Sequence, residues 1–259
     1  MTNHTFVIPA YKESPYLEEC VRSLLAQKIQ SKILIATSTP SDHIQKISEK
    51  FNIPVIVNAE SKGISADWNF AYQIAETDYV TLAHQDDIYC EDYTEKCLKK
   101  AEKHPDNLMI FTGYGELHGS EKVLNNLLLI IKRILLLPYF FTDSIGNKVI
   151  KKSLLLFGSP ISCPGVMYNK KNLKNFSFDE GFTVNMDWNA WLELAARKGS
   201  FVYEKKSLFL HRIHEEAETS KAFSDNRRRD EDLIIFKKMW PKTVAVMLAK
   251  LYSLSYRSK

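Results

Sequence analysis

Between residues 5 and 112, five short apolar segments alternate with four segments of helical periodicity, and few folds accept that order. The strands are read at 5–9, 32–36, 55–57, 79–83 and 108–112. Ser14 and Pro15 supply an N-cap and first turn for a helix with Leu17, Val21, Leu24 and Leu25 on one face. Ser41 caps a second helix carrying Ile44, Ile47 and Phe51, and further helices are expected at about 65–76 and 91–103. Strands alternating with amphipathic helices make an α/β fold with a mainly parallel sheet covered on both faces. Such sheets bind ligands beyond the carboxyl ends of their strands. The loops 9–13, 37–42 and 84–87 are therefore expected to converge on one crevice.

Residues 115–157 interrupt the pattern. Of the 19 positions from Val123 to Phe141, 14 are apolar, a density that resembles a membrane span. Lys132 and Arg133 lie mid-stretch, however, at a cost of ~2.5 to 3.5 kcal/mol each in a bilayer centre, and Pro138 breaks the helix. The segment is read as a helical excursion that packs on the core or lies on a membrane or partner. Alternation resumes with a strand at 166–168, a helix over about 187–198 ended by Gly199, and a strand at 201–210. A polar helix at 225–240 follows, and Pro241 separates it from an apolar, basic end.

With 259 residues and no internal repeat, linker or low-complexity block, one large domain with excursions is expected. Residues 1–220 form that domain, with a nucleotide-binding half at 1–114, the excursion at 115–157 and an acceptor half at 158–220. Residues 221–259 form a tail with ten Lys or Arg against four Asp or Glu, while the first 220 hold 25 against 27. A tail of this kind is read either as a solvated helix face or as a segment that rests on an anionic membrane without spanning it. Cys20, Cys90, Cys97 and Cys163 have neither CxxC nor zinc-like spacing, and Met1 leads directly into a strand without a signal peptide. A cytoplasmic protein is expected, peripheral at the cytoplasmic membrane face.

The adjacent carboxylates Asp86 and Asp87 close an almost wholly apolar strand. Paired carboxylates repel unless a cation joins them, and oxygen ligands of this kind suit Mg²⁺ or Mn²⁺. Capping of the next helix is the alternative.

The opening TFVIPAYKESPYLEECVRSLLAQ resembles that of the inverting family-2 glycosyltransferases of the GT-A fold, a strand ending Pro-x-Tyr-x-Glu before a helix. NAESKGISADWNFAYQIAETDYVTLAHQDDIY is similar to that family's third strand, Gly-and-Asn helix start and acidic metal motif. MDWNAWLELAARKG resembles its Glu-Asp-Trp segment, and LHRIHEEAETS its Arg-x-His segment.

The resemblance implies that Pro9, Ala10, Tyr11, Glu13, Ser38, Asn69 and Gln85 bind the nucleotide sugar, with Tyr11 and Glu13 holding base and ribose. Asp86 falls on the last carboxylate of Asp-x-Asp and is implied as metal ligand, supported by Asp87 and completed by His214, with Mn²⁺ or Mg²⁺ as cofactor. Arg212 is implied to contact the diphosphate, and Asp187 falls on the general base. The chain departs from the family at Thr37 and Ser38, where paired Asp residues are common. It departs again at Trp68, where Arg is common, and at His84, the first position of Asp-x-Asp. Lys62 is taken to supply the missing positive charge.

The expected function is transfer of a hexose or N-acetylhexosamine from a nucleoside diphosphate sugar, UDP above others, to a glycan hydroxyl in bacterial surface-polysaccharide synthesis. A polyprenyl-diphosphate-linked acceptor accounts for the excursion and the basic tail together, and nucleic acid is not expected as a partner. The rivals are a non-catalytic GT-A-like scaffold and a nucleotidyltransferase. The latter usually carries a Gly-rich phosphate loop that is not evident here.

Overall fold

The computed structural model describes residues 2–60, 63–214 and 227–257. Its strands are β1 (His4–Ala10), β2 (Lys32–Thr37), β3 (Val55–Val57), β4 (Tyr79–Leu82), β5 (Ile88–Tyr89), β6 (Asn107–His118), β7 (Glu121–Val123), β8 (Ser144–Ile145), β9 (Val166–Asn169) and β10 (Ser200–Ile213). Its α-helices are α1 (Leu17–Leu25), α2 (Asp42–Phe51), α3 (Ile64–Ile74), α4 (Tyr93–Lys103), α5 (Leu127–Leu135), α6 (Lys148–Ser153), α7 (Met186–Ala196), α8 (Arg227–Met239) and α9 (Lys242–Arg257). One sheet runs β3-β2-β1-β4-β9-β6-β10-β5, with β7 paired to β6 and β8 to β10.

Strand parity decides which helix covers which face. Phe6 and Ile8 point to the side packed by Leu17, Val21 and Leu24 of α1 and by Ile44 and Ile47 of α2. Val7 points the other way, toward Trp68 and Tyr72 of α3 and Trp188 and Trp191 of α7. The first four strands are parallel, as their alternation with helices requires. β9 runs antiparallel between β4 and β6, so the sheet as a whole is mixed.

Ser14 does not cap α1, which begins at Leu17. Its hydroxyl accepts from the Tyr16 N–H at 3.3 Å, just ahead of the helix, and donates to Asp86 Oδ1 at 2.6 Å. Ser41 does cap α2, accepting from the Ile44 N–H. α7 ends in an extended residue, and Gly199 turns the chain at φ +117, where a Cβ would stand 2.8 Å from the Asp106 carbonyl oxygen.

The excursion begins later than the expected residue 115, because β6 extends to His118 and pairs with β7. α5 follows, capped by Asn126, whose side chain accepts from Leu129 N. Pro138 sits in a 3₁₀ turn, Leu137–Phe140, anchored by Tyr139, whose hydroxyl donates to Phe201 O at 3.0 Å. α5 buries Leu129 alone. Among the described residues no helix is long and apolar enough to cross a membrane.

The basic tail is built into the second half of the chain; residues 221–226 lie outside the described residues. Ile235 and Phe236 of α8 and Ala245 and Ala249 of α9 are core residues, and Tyr252 packs on Trp188. The Glu231 carboxylate accepts from three backbone N–H groups, Thr183 at 2.8 Å, Val184 at 2.9 Å and Asn185 at 2.7 Å. Three donors on one carboxylate hold the entry to α7 as an N-terminal cap would.

Lys151 of α6 is buried, yet its ammonium donates to Arg197 O at 2.9 Å and Gly199 O at 2.7 Å beyond the end of α7. Burial, with repulsion from Lys148, pulls its pKa to about 8, still charged at neutral pH. Lys151→Met keeps the aliphatic stem and removes the donor. It is expected to cost about 1–3 kcal/mol, the penalty for stranding buried carbonyls, read as a lower urea midpoint at unchanged slope. An unchanged midpoint would mean that water replaces the ammonium.

Candidate active site

The carboxyl ends of β1, β2, β4 and the far end of β10 meet as the topology demands. Pro9 and Ala10 close β1, paired with Ala36 and Thr37 of β2. Tyr11 and Glu13 follow on the exposed loop. Gln85 locks that loop to the end of β4 by a reciprocal pair. Tyr11 N–H donates to its Oε1 and its Nε2 donates to Tyr11 O, both at 3.1 Å. Lys12, at φ 56, donates its N–H to Thr39 Oγ1 and so ties in the loop after β2.

Asp86 and Asp87 face different partners. Asp86 accepts from Ser14 with Oδ1, and its Oδ2 lies 3.3 Å from His214 Nε2. Asp87 is 1% exposed and turns toward β10, where its Oδ1 accepts from His211 Nδ1 at 3.0 Å and from Arg212 N–H at 2.9 Å. Burial pushes the Asp87 carboxyl up, but the charge and hydrogen bond of His211 and the Arg212 N–H outweigh it and hold it below the ordinary range. Burial likewise pulls His211 down, and Asp87 more than restores it, so the imidazole stays protonated above its usual pKa.

Arg212 is buried, with its guanidinium set between Glu19, the Asp86 carbonyl at 2.9 Å and the Tyr16 ring at 4.3 Å. Tyr16 in turn lies 5.1 Å from the His214 ring. These contacts fix the Asp86–Asp87 turn and the end of β10 to α1.

Asp187 stands in the first turn of α7 and accepts from the Trp188 N–H at 2.7 Å. Desolvation raises its pKa, against the opposing charges of Arg228 and Lys132. The two carboxylates thus have contrasting environments, one paired with a histidine at the strand ends and one desolvated at a helix start.

Ser38 donates to Asp67 Oδ2 at 2.7 Å, and Asn58 donates to Asp67 Oδ1 at 2.9 Å. The position that lacks an acid after β2 therefore has one beside it, contributed by α3. Asn69 is buried and bonded through both amide groups to the backbone of Phe178. It also reaches Glu180 Oε1 at 3.4 Å, so it tethers the 178–180 segment to α3. Lys62 lies outside the described residues.

Three contributors escape a reading of motifs. His211 lies within the segment LHRIHEEAETS but outside its Arg-x-His triplet. Asp67 sits inside a helix, where an acid is normally a solvated residue. Glu231 lies 44 positions beyond Asp187. Only the hydrogen bonds they make mark them out.

Among the described residues no group of three or more His, Cys, Asp or Glu side chains converges as a metal cage. The Asp86–His214 pair nevertheless fits a Mn²⁺ or Mg²⁺ ion that draws its remaining ligands from phosphate oxygens and water, as nucleotide-bound ions of this class do.

The sequence model of the family described as glycosyl transferase family 2 matches residues 5–171. Glycosyltransferase GlyG of Streptococcus pneumoniae serotype 4 is 27% identical over 122 residues, 44% of this chain and 40% of that protein. The chain thus spans about two fifths of the length of that curated relative. Among solved structures, S. aureus TarS 1–349 in complex with UDP-GlcNAc matches with TM-score 0.62 and 16% identity, over 95% of this chain and 70% of that one. A mannosyltransferase from Pyrobaculum calidifontis in complex with GDP-Man and Mn²⁺ matches with TM-score 0.66 and 13% identity, over 97% and 69%. At such identities these two likenesses speak for the fold.

Proposed function

The chain belongs to glycosyl transferase family 2 and has the GT-A fold, and from that premise we propose that it transfers a hexose or N-acetylhexosamine from a UDP-sugar to a glycan hydroxyl with inversion. The observation that carries this reading is the contrast between Asp86, paired with His214, and the desolvated Asp187. Surface-polysaccharide assembly at the cytoplasmic membrane face is the setting that suits a glycan acceptor presented on a polyprenyl diphosphate.

Tyr11 lies against the base, and Glu13 accepts from the ribose. Ser38 and Asp67 together offer acceptors where family members carry acids after the second strand, a substitution that supports recognition of uracil through its N3–H. Asp86 and His214 would hold the divalent ion, which when bound supplies positive charge to the leaving diphosphate. His211, bonded to Asp87, braces the same turn from β10. Arg212 acts by positioning the Asp86–Asp87 turn, and Asn69 by holding the 178–180 segment.

Asp187 accepts the proton of the acceptor hydroxyl as its oxygen bonds to the anomeric carbon and the bond to the diphosphate breaks. A single displacement places attacking and leaving oxygens on opposite sides of that carbon, so inversion follows. Desolvation strengthens the base, because a carboxylate with a raised pKa has more affinity for the proton it must take.

Thermal unfolding with UDP, GDP and dTDP, each with and without Mn²⁺, tests the donor class. UDP with Mn²⁺ is expected to give the largest rise in midpoint, since a ligand at 100 times its Kd stabilises by about 2.7 kcal/mol. Slow release of free sugar from UDP-sugars without acceptor should accompany it. A chain that binds none of the three nucleotides and releases no sugar would be the scaffold instead.

A further inference from the structure

From the exposed face of α5 and the turn that follows it, we infer that the chain docks on an anionic lipid bilayer through this ridge, with the catalytic cleft alongside the lipid surface. The C-terminal tail, which the sequence favours for that role, has Ala245, Ala249 and Tyr252 packed into the protein. The excursion has the opposite character. Leu127, Ile130, Ile131 and Ile134 of α5 are all exposed, Leu127 at 75%, and the turn adds Phe140 and Phe141, the latter at 93%. Eleven of the seventeen large apolar side chains exposed in the described residues fall between positions 124 and 157. Scattered exposed apolar residues are ordinary; a run of this density on one helix and its turn marks a surface that meets something apolar.

Charge chooses the occupant. Of the six Lys or Arg in residues 119–157, Lys151 is buried and Lys132 turns inward, which leaves Lys122, Arg133, Lys148 and Lys152 exposed against Glu121 and Asp143. A second copy would bring the same excess of positive charge to the contact, whereas anionic headgroups complement it. The aromatic end of the ridge borders an open groove of about 520 Å³, lined by Lys100, Lys103 and Lys205 together with Asp143 and Glu204. Pro138 and the two Lys/Arg residues at mid-helix preclude a span, so the helix lies in the interface plane.

The inner side of α5 ties this surface to the cleft. The Lys132 ammonium donates to the Tyr114 hydroxyl at 2.7 Å, and the Tyr114 ring lies 6.5 Å from that of His211. Lys132 also acts through space on Asp187. With Lys132 held inward, the isoleucines face outward, and a bilayer that receives them lies along the acceptor side of the cleft.

Flotation of the full chain with vesicles of phosphatidylglycerol and phosphatidylcholine, compared with phosphatidylcholine alone, is the test. The wild type is expected to float with anionic vesicles at low salt and less at high salt. The variant Leu127→Ser/Ile131→Ser/Ile134→Ser/Phe141→Ser should bind about tenfold more weakly or worse. Met247→Ser/Leu251→Ser on the tail should bind like wild type. UDP affinity, measured on the same proteins, should be equal in all three, which separates loss of docking from loss of fold and from failure of the proposed activity. Wild type that stays unbound, a ridge variant that floats normally, or a loss that follows the tail variant overturns the inference. Light scattering that shows a wild-type dimer dispersed by the ridge substitutions would assign the face to a second copy and overturn it equally.

Discussion

Transfer by Asp187→Asn is expected to fall by ~10²- to 10⁴-fold, the range for removal of a positioned base, while UDP affinity stays within about twofold of wild type. Asparagine preserves the size of the side chain and its bond from the Trp188 N–H, so the start of α7 should survive. The pH profile gives a second readout. Burial raises the Asp187 pKa, and the base works only when ionised, so wild-type activity should rise with pH along a limb displaced above the ordinary carboxylate range. In the Asn variant that limb should vanish. Product NMR should show an inverted anomer from wild type. Near-normal transfer by the variant would move the proton to Glu180 or Asp179, and a retained anomer would overturn the single displacement.

Asp86→Ala is expected to abolish the strengthening of UDP binding by Mn²⁺ and to lower transfer by ~10²-fold or more. Several kcal/mol of transition-state charge stabilisation disappear with the ion, at about 1.4 kcal/mol per tenfold. Since Asp86 also receives the Ser14 hydroxyl, alanine loosens the entry to α1 as well. Asp86→Asn keeps an acceptor for Ser14 and should lose the metal effect almost as fully. Calorimetry with and without Mn²⁺ decides the matter, and equal UDP affinities for all three proteins across metal concentrations would remove Asp86 from the metal site.

The first half of the fold is legible in the sequence because each element there carries its own signal. Strands β1 to β4 are short apolar runs, α1 and α2 have clean apolar stripes, and parallel pairing follows from the alternation. The second half is less so. β9 is apolar on both faces, and no local feature of a four-residue strand tells antiparallel from parallel insertion. The extension of β6 to His118 depends on pairing with β10 and β7, partners distant in sequence or across a turn. At the site, Asp86, Asp187 and His214 stand out by motif, and the structure brings Asp86 and His214 together. Adjacency in the sequence groups Asp87 with Asp86 as a ligand. In the turn after β4, however, Asp86 Oδ2 faces His214 while Asp87 Oδ1 is taken up by His211 and the Arg212 N–H.

The carboxylate of Glu231 has a bearing on where this protein can be cut. A fragment ending at residue 220 would retain every motif by which the family is identified, from the first strand to the Arg-x-His segment. It would lack the one side chain that receives the N–H groups of Thr183, Val184 and Asn185, two residues ahead of Asp187. The span over which the family can be recognised is therefore shorter than the span that holds the proposed base in place. Chimaeras that exchange acceptor halves between relatives would have to carry α8 along with α7.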